Sequence, residues 1–441
     1  MSPLNARTHS ATAGTSKPGR RFDPRSLDAL NFLMADVRGA LGPYLNVFLV
    51  TQQHWSQSSV GVVTTVGGLL GIAVQTPIGA AIDATRAKRL LVVVALALLA
   101  GGAVLIYALP EFWPVMVANI LISTVGDVFG PAIAALTLGL YVRAELARRI
   151  GRNSAFDHAG NVAIAVLAGA IGWFFSQRAV FLLVPVFAVL AALAVLSIPA
   201  DAIDHERARG AEDGIATEHG APSGLSILLT CRPLLIYAAC TLLFHFANAP
   251  LLPLVGQKLA IAHKQAATAM MSSCIIAAQL IMLPVALAVG HYADRIGRKP
   301  LLLVGFAVLP IRAFLYTASD NAAWLIGVQL LDGIGAGVFG AITPLVIADL
   351  MRGTGRYNVA QGAIATVQGI GASLSGLAAG LTVDRLGYSA AFIGGGIVAA
   401  AALLTLLLAM PETASFTNRG EGERNGGEGA HDDLRVPLSS C

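Results

Sequence analysis

Six ionisable side chains interrupt otherwise apolar stretches of this sequence: Asp36, Arg38, Asp127, His245, Arg312 and Asp332. A charge held in the middle of a hydrocarbon layer costs at least ~2.5–3.5 kcal/mol unless it is paired or hydrated. Such residues are therefore expected where a solute, a proton or an opposite charge meets them. The carboxylates and the imidazole can release and regain a proton. Desolvation raises a carboxyl pKa and a nearby arginine lowers it, so moving a partner away switches proton affinity. The proton-coupling candidates are Asp36, His245, Asp127 and Asp332. The guanidinium groups of Arg38 and Arg312 suit carboxylates and phosphates, or neutralise one of the aspartates. Asp36 and Arg38 are two residues apart, about 200° around a helix, so each needs a partner on another element. The competing reading is a set of structural ion pairs that fix helix register.

Neutral polar residues in the same stretches supply donors and acceptors for a solute: Asn46, Asn161, Asn248, Gln279, Gln361 and Gln368. Arg38, Asn46, Asn248, Gln279, Arg312 and Gln361 form the candidate substrate-binding set. Aromatic residues including Tyr44, Phe129, Phe156, Phe244 and Phe339 accompany them. These suit amphipathic solutes, and equally packing or lipid contact.

The elements that carry these residues are membrane helices. Hydrophobic residues make up 56% of the chain and charged residues 12%, too few charges to cover a water-facing surface. Hydrophobic runs fall at 28–50, 59–82, 90–109, 114–141, 154–176 and 179–199, and again at 232–256, 266–290, 300–318, 322–349, 359–383 and 388–410. A bilayer core of ~30 Å needs roughly 20 apolar residues per helix, which predicts twelve spans. The domain reading is a tail 1–27, a six-helix bundle 28–199, a polar linker 200–228, a second bundle 229–410 and a tail 411–441. The first tail is polar and carries no apolar core before a small-residue cleavage site, so it is read as a cytoplasmic extension.

Charge distribution orients the chain. Arg86, Lys88, Arg89, Arg143, Arg148, Arg149, Arg152, Arg207, Arg209, Arg295, Arg298, Lys299, Arg352 and Arg356 all fall in one set of loops. The opposite loops hold only Arg178, Lys258, Lys264 and Arg385. The positive-inside rule places the rich loops and both termini in the cytoplasm. The same alternation explains the formal charge of +4 without invoking nucleic acid. The four cysteines show neither metal-ligand spacing nor a disulfide framework and are read as inert.

The two halves repeat. Gly79 and Asp83 recur as Gly290 and Asp294, an offset of 211 (290 − 79). Val128-Phe129-Gly130 recurs as Val338-Phe339-Gly340 at an offset of 210 (338 − 128), and Pro43 and Pro250 differ by 207. Duplicated bundles about an axis normal to the membrane are a recurrent transporter plan.

The segment GHYADRIGRKPLL from Gly290 resembles the G-x-x-x-D-R-x-G-R-[RK] loop of the major facilitator superfamily. That family carries it between helices 2 and 3 and, less strictly, between helices 8 and 9. Here Gly290, Asp294, Arg295, Gly297, Arg298 and Lys299 complete the second copy, while the first keeps Gly79, Asp83, Lys88 and Arg89. The resemblance implies an all-α membrane protein of twelve transmembrane helices in two pseudo-symmetric six-helix bundles. The two loops are expected to form a conformational latch, each aspartate meeting a helix terminus or an arginine. Asp36 before Pro43 looks similar to the helix-1 aspartate of many drug:proton antiporters of the family, which makes it the first choice for proton coupling. The family's helix-4 arginine is absent, with Asp127 in that part of the span, and its G-x-x-x-G-P-x-x-G-G pattern in helix 5 is missing.

Together these readings describe a secondary transporter for a small solute in a bacterial inner membrane, a monomer without cofactors, exporting by proton coupling. The alternative is proton-coupled uptake of an anionic metabolite held by Arg38 and Arg312. No G-x-x-x-x-G-K-[ST] loop supports ATP coupling within the chain. A membrane enzyme or receptor is the remote alternative, with no His-Glu-x-x-His pattern and no large soluble domain to support it.

Overall fold

The computed structural model describes residues 23–35, 41–85, 87–204, 231–352, 354 and 356–414, with the side chains of residues 76, 78–84, 127, 143, 144 and 147 outside that description. The described residues are helical throughout, without strands. Eleven of their helices are long and apolar enough to cross a membrane. The helices Pro24–Met34 and Gly42–Thr51 occupy the region of the first expected span. The chain is an all-α membrane protein on the twelve-span plan.

Span 2 is Gln57–Ala84, span 3 Lys88–Ala108, span 4 Phe112–Leu140 and span 5 Arg143–Phe174. Span 6 opens as a 3-10 turn, Arg178–Leu182, and continues as Leu183–Leu196. Span 7 is two helices, Arg232–Asn248 and Leu251–Ala262. Spans 8 to 12 are Ala267–Ile296, Arg298–Ala318, Ala322–Leu350, Tyr357–Leu386 and Tyr388–Ala409. Span 10, at 29 residues, is about 44 Å long, so it exceeds the hydrocarbon core and projects beyond it.

Local chemistry explains the boundaries. Prolines 77, 131, 284, 310 and 344 sit inside spans, where neighbouring helices can re-satisfy the carbonyls they release. Pro43 lies in the first turn of its helix, after Leu41 in the left-handed region (φ 61°). Pro250 caps the second half of span 7. Asn321 starts span 10 by accepting hydrogen bonds from the amides of Ala323 (2.9 Å) and Trp324 (3.2 Å). The motif glycine Gly297 turns span 8 into span 9 with φ 97°, a conformation that residues with a Cβ adopt only at a cost.

Two hydrophobic cores form. One is built mainly on spans 1 to 6, with Phe48, Leu99, Phe129 and Phe181 fully buried; the other on spans 7 to 12, with Tyr237, Phe306 and Phe392. Large apolar residues such as Leu98, Val117, Val189, Leu287 and Leu408 are exposed on the outside, the surface that lipid covers. Small residues make the seams between the halves. Gly61 and Gly68 of span 2 pack on Gly376 and Ser373 of span 11, and Gly169 and Gly172 of span 5 pack on Ser272 and Thr268 of span 8. Without a hydrophobic drive between helices in lipid, close backbone approach of this kind supplies the association.

Cys240 and Cys274 are free and buried. Cys231, by contrast, is disulfide-bonded, a correction to the reading of four inert thiols. The expected tails and linker fall mostly on residues 1–22, 205–230 and 415–441, outside the described residues.

Candidate transport site

Span 7 breaks after Asn248, and a buried polar network converges on that break. Arg312 of span 9 is 1% exposed. It donates to Asp332 of span 10 and, at 2.6 Å, to Asn248 Oδ1. Gln329, one turn from Asp332, donates to its second carboxylate oxygen at 2.9 Å. Tyr316 donates to Gln329, and the Arg312 guanidinium lies 6.0 Å from the Tyr316 ring centroid. Three spans are thus joined by one ion pair and its hydrogen bonds. Desolvating such a pair is expensive; both Asp332 carboxylate oxygens and two of the three guanidinium nitrogens are hydrogen-bonded, and Arg312 Nε is buried without a partner.

His245, one turn before Asn248, packs among aromatics. Its ring is 4.9 Å from Phe339 and 5.5 Å from Phe244, which stacks on Phe339 at 5.1 Å. Its Nδ1 lies 3.0 Å from the Thr241 carbonyl, the usual satisfaction of a histidine within a helix. The structure therefore brings His245, Asn248, Arg312 and Asp332 to one region of the second bundle.

Among the described residues, hydrogen bonds across the two halves run from mid-span to the end remote from the termini. Near mid-span, His158 Nδ1 of span 5 lies 2.9 Å from Gln279 Oε1 of span 8. Farther out, Tyr44 and Ser272 share a hydrogen bond of 2.9 Å. The Thr65 hydroxyl donates to the Ser373 carbonyl (2.6 Å) and accepts from the Leu377 amide (3.1 Å). At the remote end Asp384 of span 11 accepts from the Gln57 and Ser58 amides (3.0 and 2.8 Å), capping span 2 from the opposite bundle. Gln57 Nε2 donates to Tyr388 at 2.8 Å beside it. A carboxylate on exposed helix amides is a charge-assisted, dipole-favoured contact.

Two cavities adjoin this seam. One, of about 110 Å³, lies between spans 1, 2, 7 and 11 and is walled by Asn46, Gln57, Thr64, Gln257 and Ser375 among others. The second, of about 520 Å³, lies between spans 2, 4 and 11, with Gln75, Ser123, Gly130 and Ser373 in its wall. Ala372 lines both.

At the end that carries the termini, Arg89, Asp294 and Arg298 find partners within their own halves. Asp294 pairs with Arg298 at 2.8 Å, Arg298 also with Asp349 of span 10 at 3.0 Å, and Asp349 with Arg352 at 3.0 Å. Glu412, after span 12, accepts from the Arg298 and Lys299 amides (2.9 and 3.0 Å) and caps span 9. Arg295 is exposed, and Gly290 lies inside span 8 with open space around its Cα. In the first half, Arg89 donates to the Leu196 and Ile198 carbonyls, and Lys88 is buried. Gly79 and Asp83 are in the span 2 helix, but their side-chain surroundings lie outside the description, as does the side chain of Asp127. Asp36 and Arg38 fall outside the described residues altogether. Gln361 is exposed on span 11, apart from the network at Arg312.

Comparison with known proteins fixes the family. The model of the Major Facilitator Superfamily matches residues 27–285 and 234–438. The chain belongs to that superfamily. It is 50% identical over 389 residues to an uncharacterized MFS-type transporter of Mycobacterium tuberculosis (strain ATCC 25618 / H37Rv), covering 88% of this chain and 93% of the relative. The methyl viologen resistance protein SmvA of Salmonella typhimurium (strain LT2) is 29% identical over 150 residues, 33% of this chain and 28% of SmvA. A crystal structure of a mutant of the nucleoside transporter NupG superposes with a TM-score of 0.73 at 14% identity, covering 87% of this chain and 98% of NupG; at that identity the likeness is one of fold. This member of the superfamily is a secondary transporter, integral to the membrane and multi-pass, and not an enzyme.

Several residues of this transporter's polar framework escaped the sequence reading. Asp28, 4% exposed, is held by Arg149 (2.8 Å) and by both arms of Arg152 (2.9 and 2.6 Å), joining spans 1 and 5. Arg149 and Arg152 were read only as orienting charges. Asp384, Asp349, Glu412 and Gln257 were not singled out either. Each lies near a helix end, where a polar residue needs no special explanation, and only the packed structure supplies its partner.

Proposed function

We propose that this chain exports a small organic solute in exchange for protons by alternating access. The bundle 28–199 rocks against the bundle 229–410 about a central site. The observation that carries this reading is the distribution of the seam. Among the described residues, cross-half hydrogen bonds gather from mid-span to the remote end, while Arg89, Asp294 and Arg298 at the terminal end bind within their own halves. This is the pattern of a transporter closed at the remote end.

The Arg312–Asp332 pair supports a role in coupling. Protonating Asp332 would remove the charge that neutralises a buried guanidinium, and Asn248 would carry the change to the break in span 7. Asp36, His245 and Asp127 remain proton-coupling candidates on the sequence argument. Arg38, Asn46, Asn248, Gln279, Arg312 and Gln361 remain the substrate-binding set. The partial similarity to a methyl viologen resistance protein supports export. The engagement of Arg312 by Asp332 and Asn248 speaks against its use as an anion receptor, so uptake of an anionic metabolite is not favoured. Our reading keeps the protein a monomer in a bacterial inner membrane, and the positive-inside argument supports cytoplasmic termini and a cytoplasmic linker 200–228.

The test is solute flux in proteoliposomes of purified full-length protein under an imposed pH gradient, over a panel that includes methyl viologen. Gradient-dependent flux that Asp36→Asn and Asp332→Asn uncouple is the expected result. Flux that ignores the pH gradient removes the proton, and no flux over the panel removes the reading.

A further inference from the structure

We propose that Gly380–Gly387 is a second latch, an inverted copy of the motif at Gly290–Gly297 that locks the remote end of the seam, and that the two copies engage in turn. This rests on the alternating-access reading above and names the residues that hold each state.

The copy is written in the sequence. GHYADRIG from Gly290 recurs as GLTVDRLG from Gly380, which repeats G-x-x-x-D-R-x-G in full at an offset of 90 (380 − 290). The backbone repeats with it. Each copy ends a helix of 30 residues, Ala267–Ile296 and Tyr357–Leu386. Each final glycine turns the chain into the next span, with φ 97° and ψ 166° at Gly297 and φ 85° and ψ 173° at Gly387. Span 8 runs towards the end that carries the termini and span 11 away from it, so the copies lie at opposite ends of the molecule. Each helix also packs on the other half, span 8 on span 5 and span 11 on span 2.

Among the described residues, the two copies differ in their contacts. Gly380 lies so close to the start of span 2 that a Cβ there would stand 2.3 Å from the Gln57 carbonyl oxygen and 3.1 Å from the Ser58 Cα. One turn later, Asp384 accepts from the amides of those same two residues at 3.0 and 2.8 Å. The glycine admits the neighbouring backbone, and the aspartate binds the helix start that it admits. At Gly290 a Cβ would have open space. Asp294 pairs with Arg298 beside its own loop, and its side chain is 85% exposed.

The inverted repeat names a partner for Asp294. Span 5 stands to span 8 as span 2 stands to span 11, so Asp294 is matched to the first turn of span 5, which starts at Arg143. Val142, the residue before that turn, has no side-chain acceptor to cap it. Arg143 and Arg148 also outnumber Glu145 there, a setting that suits an arriving carboxylate. When the remote end opens, Asp384 gives up the span 2 amides. When the terminal end closes, Asp294 gains those of span 5. One charge-assisted cap replaces the other, so each state keeps a latch of its own.

The experiment is hydrogen exchange, followed by mass spectrometry on the purified full-length protein and read at the Gln57 and Ser58 amides. Weakening the Asp294 copy penalises the state in which the remote end is open. Asp294→Asn and Gly290→Ala should therefore each slow exchange at these amides roughly three- to tenfold, the worth of one helix cap. Gly290→Ala carries little threat to the fold, since its methyl has room. Gly380→Ala, which drives its methyl into Gln57, should quicken exchange at the same amides. Gly290 and Asp294 lie a membrane's thickness from Gln57, so a purely structural role for them gives no change there. Unchanged or faster exchange in either terminal-end variant, or unchanged exchange in Gly380→Ala, overturns the proposal. The readout needs no solute. If it fails while gradient-driven flux persists, the second latch falls and the transport reading stands.

Discussion

Removing the carboxylate of Asp332 should destabilise the second bundle sharply, and removing its partner as well should largely restore it. Arg312 is 1% exposed and its charge is met by Asp332, with Asn248 as its other hydrogen-bond acceptor. In Asp332→Leu the guanidinium keeps one neutral acceptor, Asn248, and no counter-charge. Breaking a buried pair from one side costs about 3–5 kcal/mol, because the remaining charge is uncompensated. Gln329 loses its acceptor at the same time, adding about 1 kcal/mol. Replacing both charges by apolar residues of similar volume is often neutral. Arg312→Met with Asp332→Leu should therefore melt well above Asp332→Leu alone, less the bonds lost at Asn248 and Gln329. The assay is thermal unfolding of the detergent-purified protein followed by tryptophan fluorescence, with a drop on the order of 10 °C expected for the single variant. A single variant that melts with the wild type, or a double variant no better than the single, would falsify the buried-pair account.

Two further perturbations probe the ends of the molecule. Asp384→Ala removes the cap that span 11 places on span 2, and should cost about 1 kcal/mol. Hydrogen exchange at Gln57 and Ser58 should quicken, while exchange in span 9 stays unchanged; equal protection in the variant would mean that the contact does not hold the seam. Gly297→Ala forces a Cβ into φ 97° at the span 8–9 turn and should cost roughly 1–2 kcal/mol, read as a lower melting temperature. An unchanged melting temperature would show that the motif glycine answers to something other than backbone conformation.

The spans were legible because lipid leaves no choice: a run of about 20 apolar residues is a helix that crosses. Arg312, Asp332, Asn248 and His245 could be nominated for the same reason, since a polar group inside such a run stands out. What the sequence withheld was pairing. Arg312 finds Asp332 twenty residues away on the next span, whereas Asp28 finds Arg149 and Arg152 four spans along the chain. Asp384 meets the Gln57 and Ser58 amides across the full length of the fold, and nothing in its local context distinguishes it from a solvated helix end. Gln257 was within reach, because the offset of 211 already visible between the motif loops relates it to Asn46. Gln279, nominated as a solute contact, instead meets His158 across the seam in this conformation. Asp36 and Arg38 rest on the sequence argument alone.

The central claim is that the two bundles move apart where they are now joined, and a reversible cross-link tests it most directly. A Cβ at Gly169 would stand 3.2 Å from the Ser272 Cβ, close to the ~3.5–4.5 Å of a disulfide. Gly169→Cys with Ser272→Cys, in an otherwise cysteine-free chain that retains transport, should cross-link on oxidation. Fully cross-linked protein in proteoliposomes should lose solute flux, and reduction should restore it. Undiminished flux through the cross-linked protein would contradict alternating access at this seam.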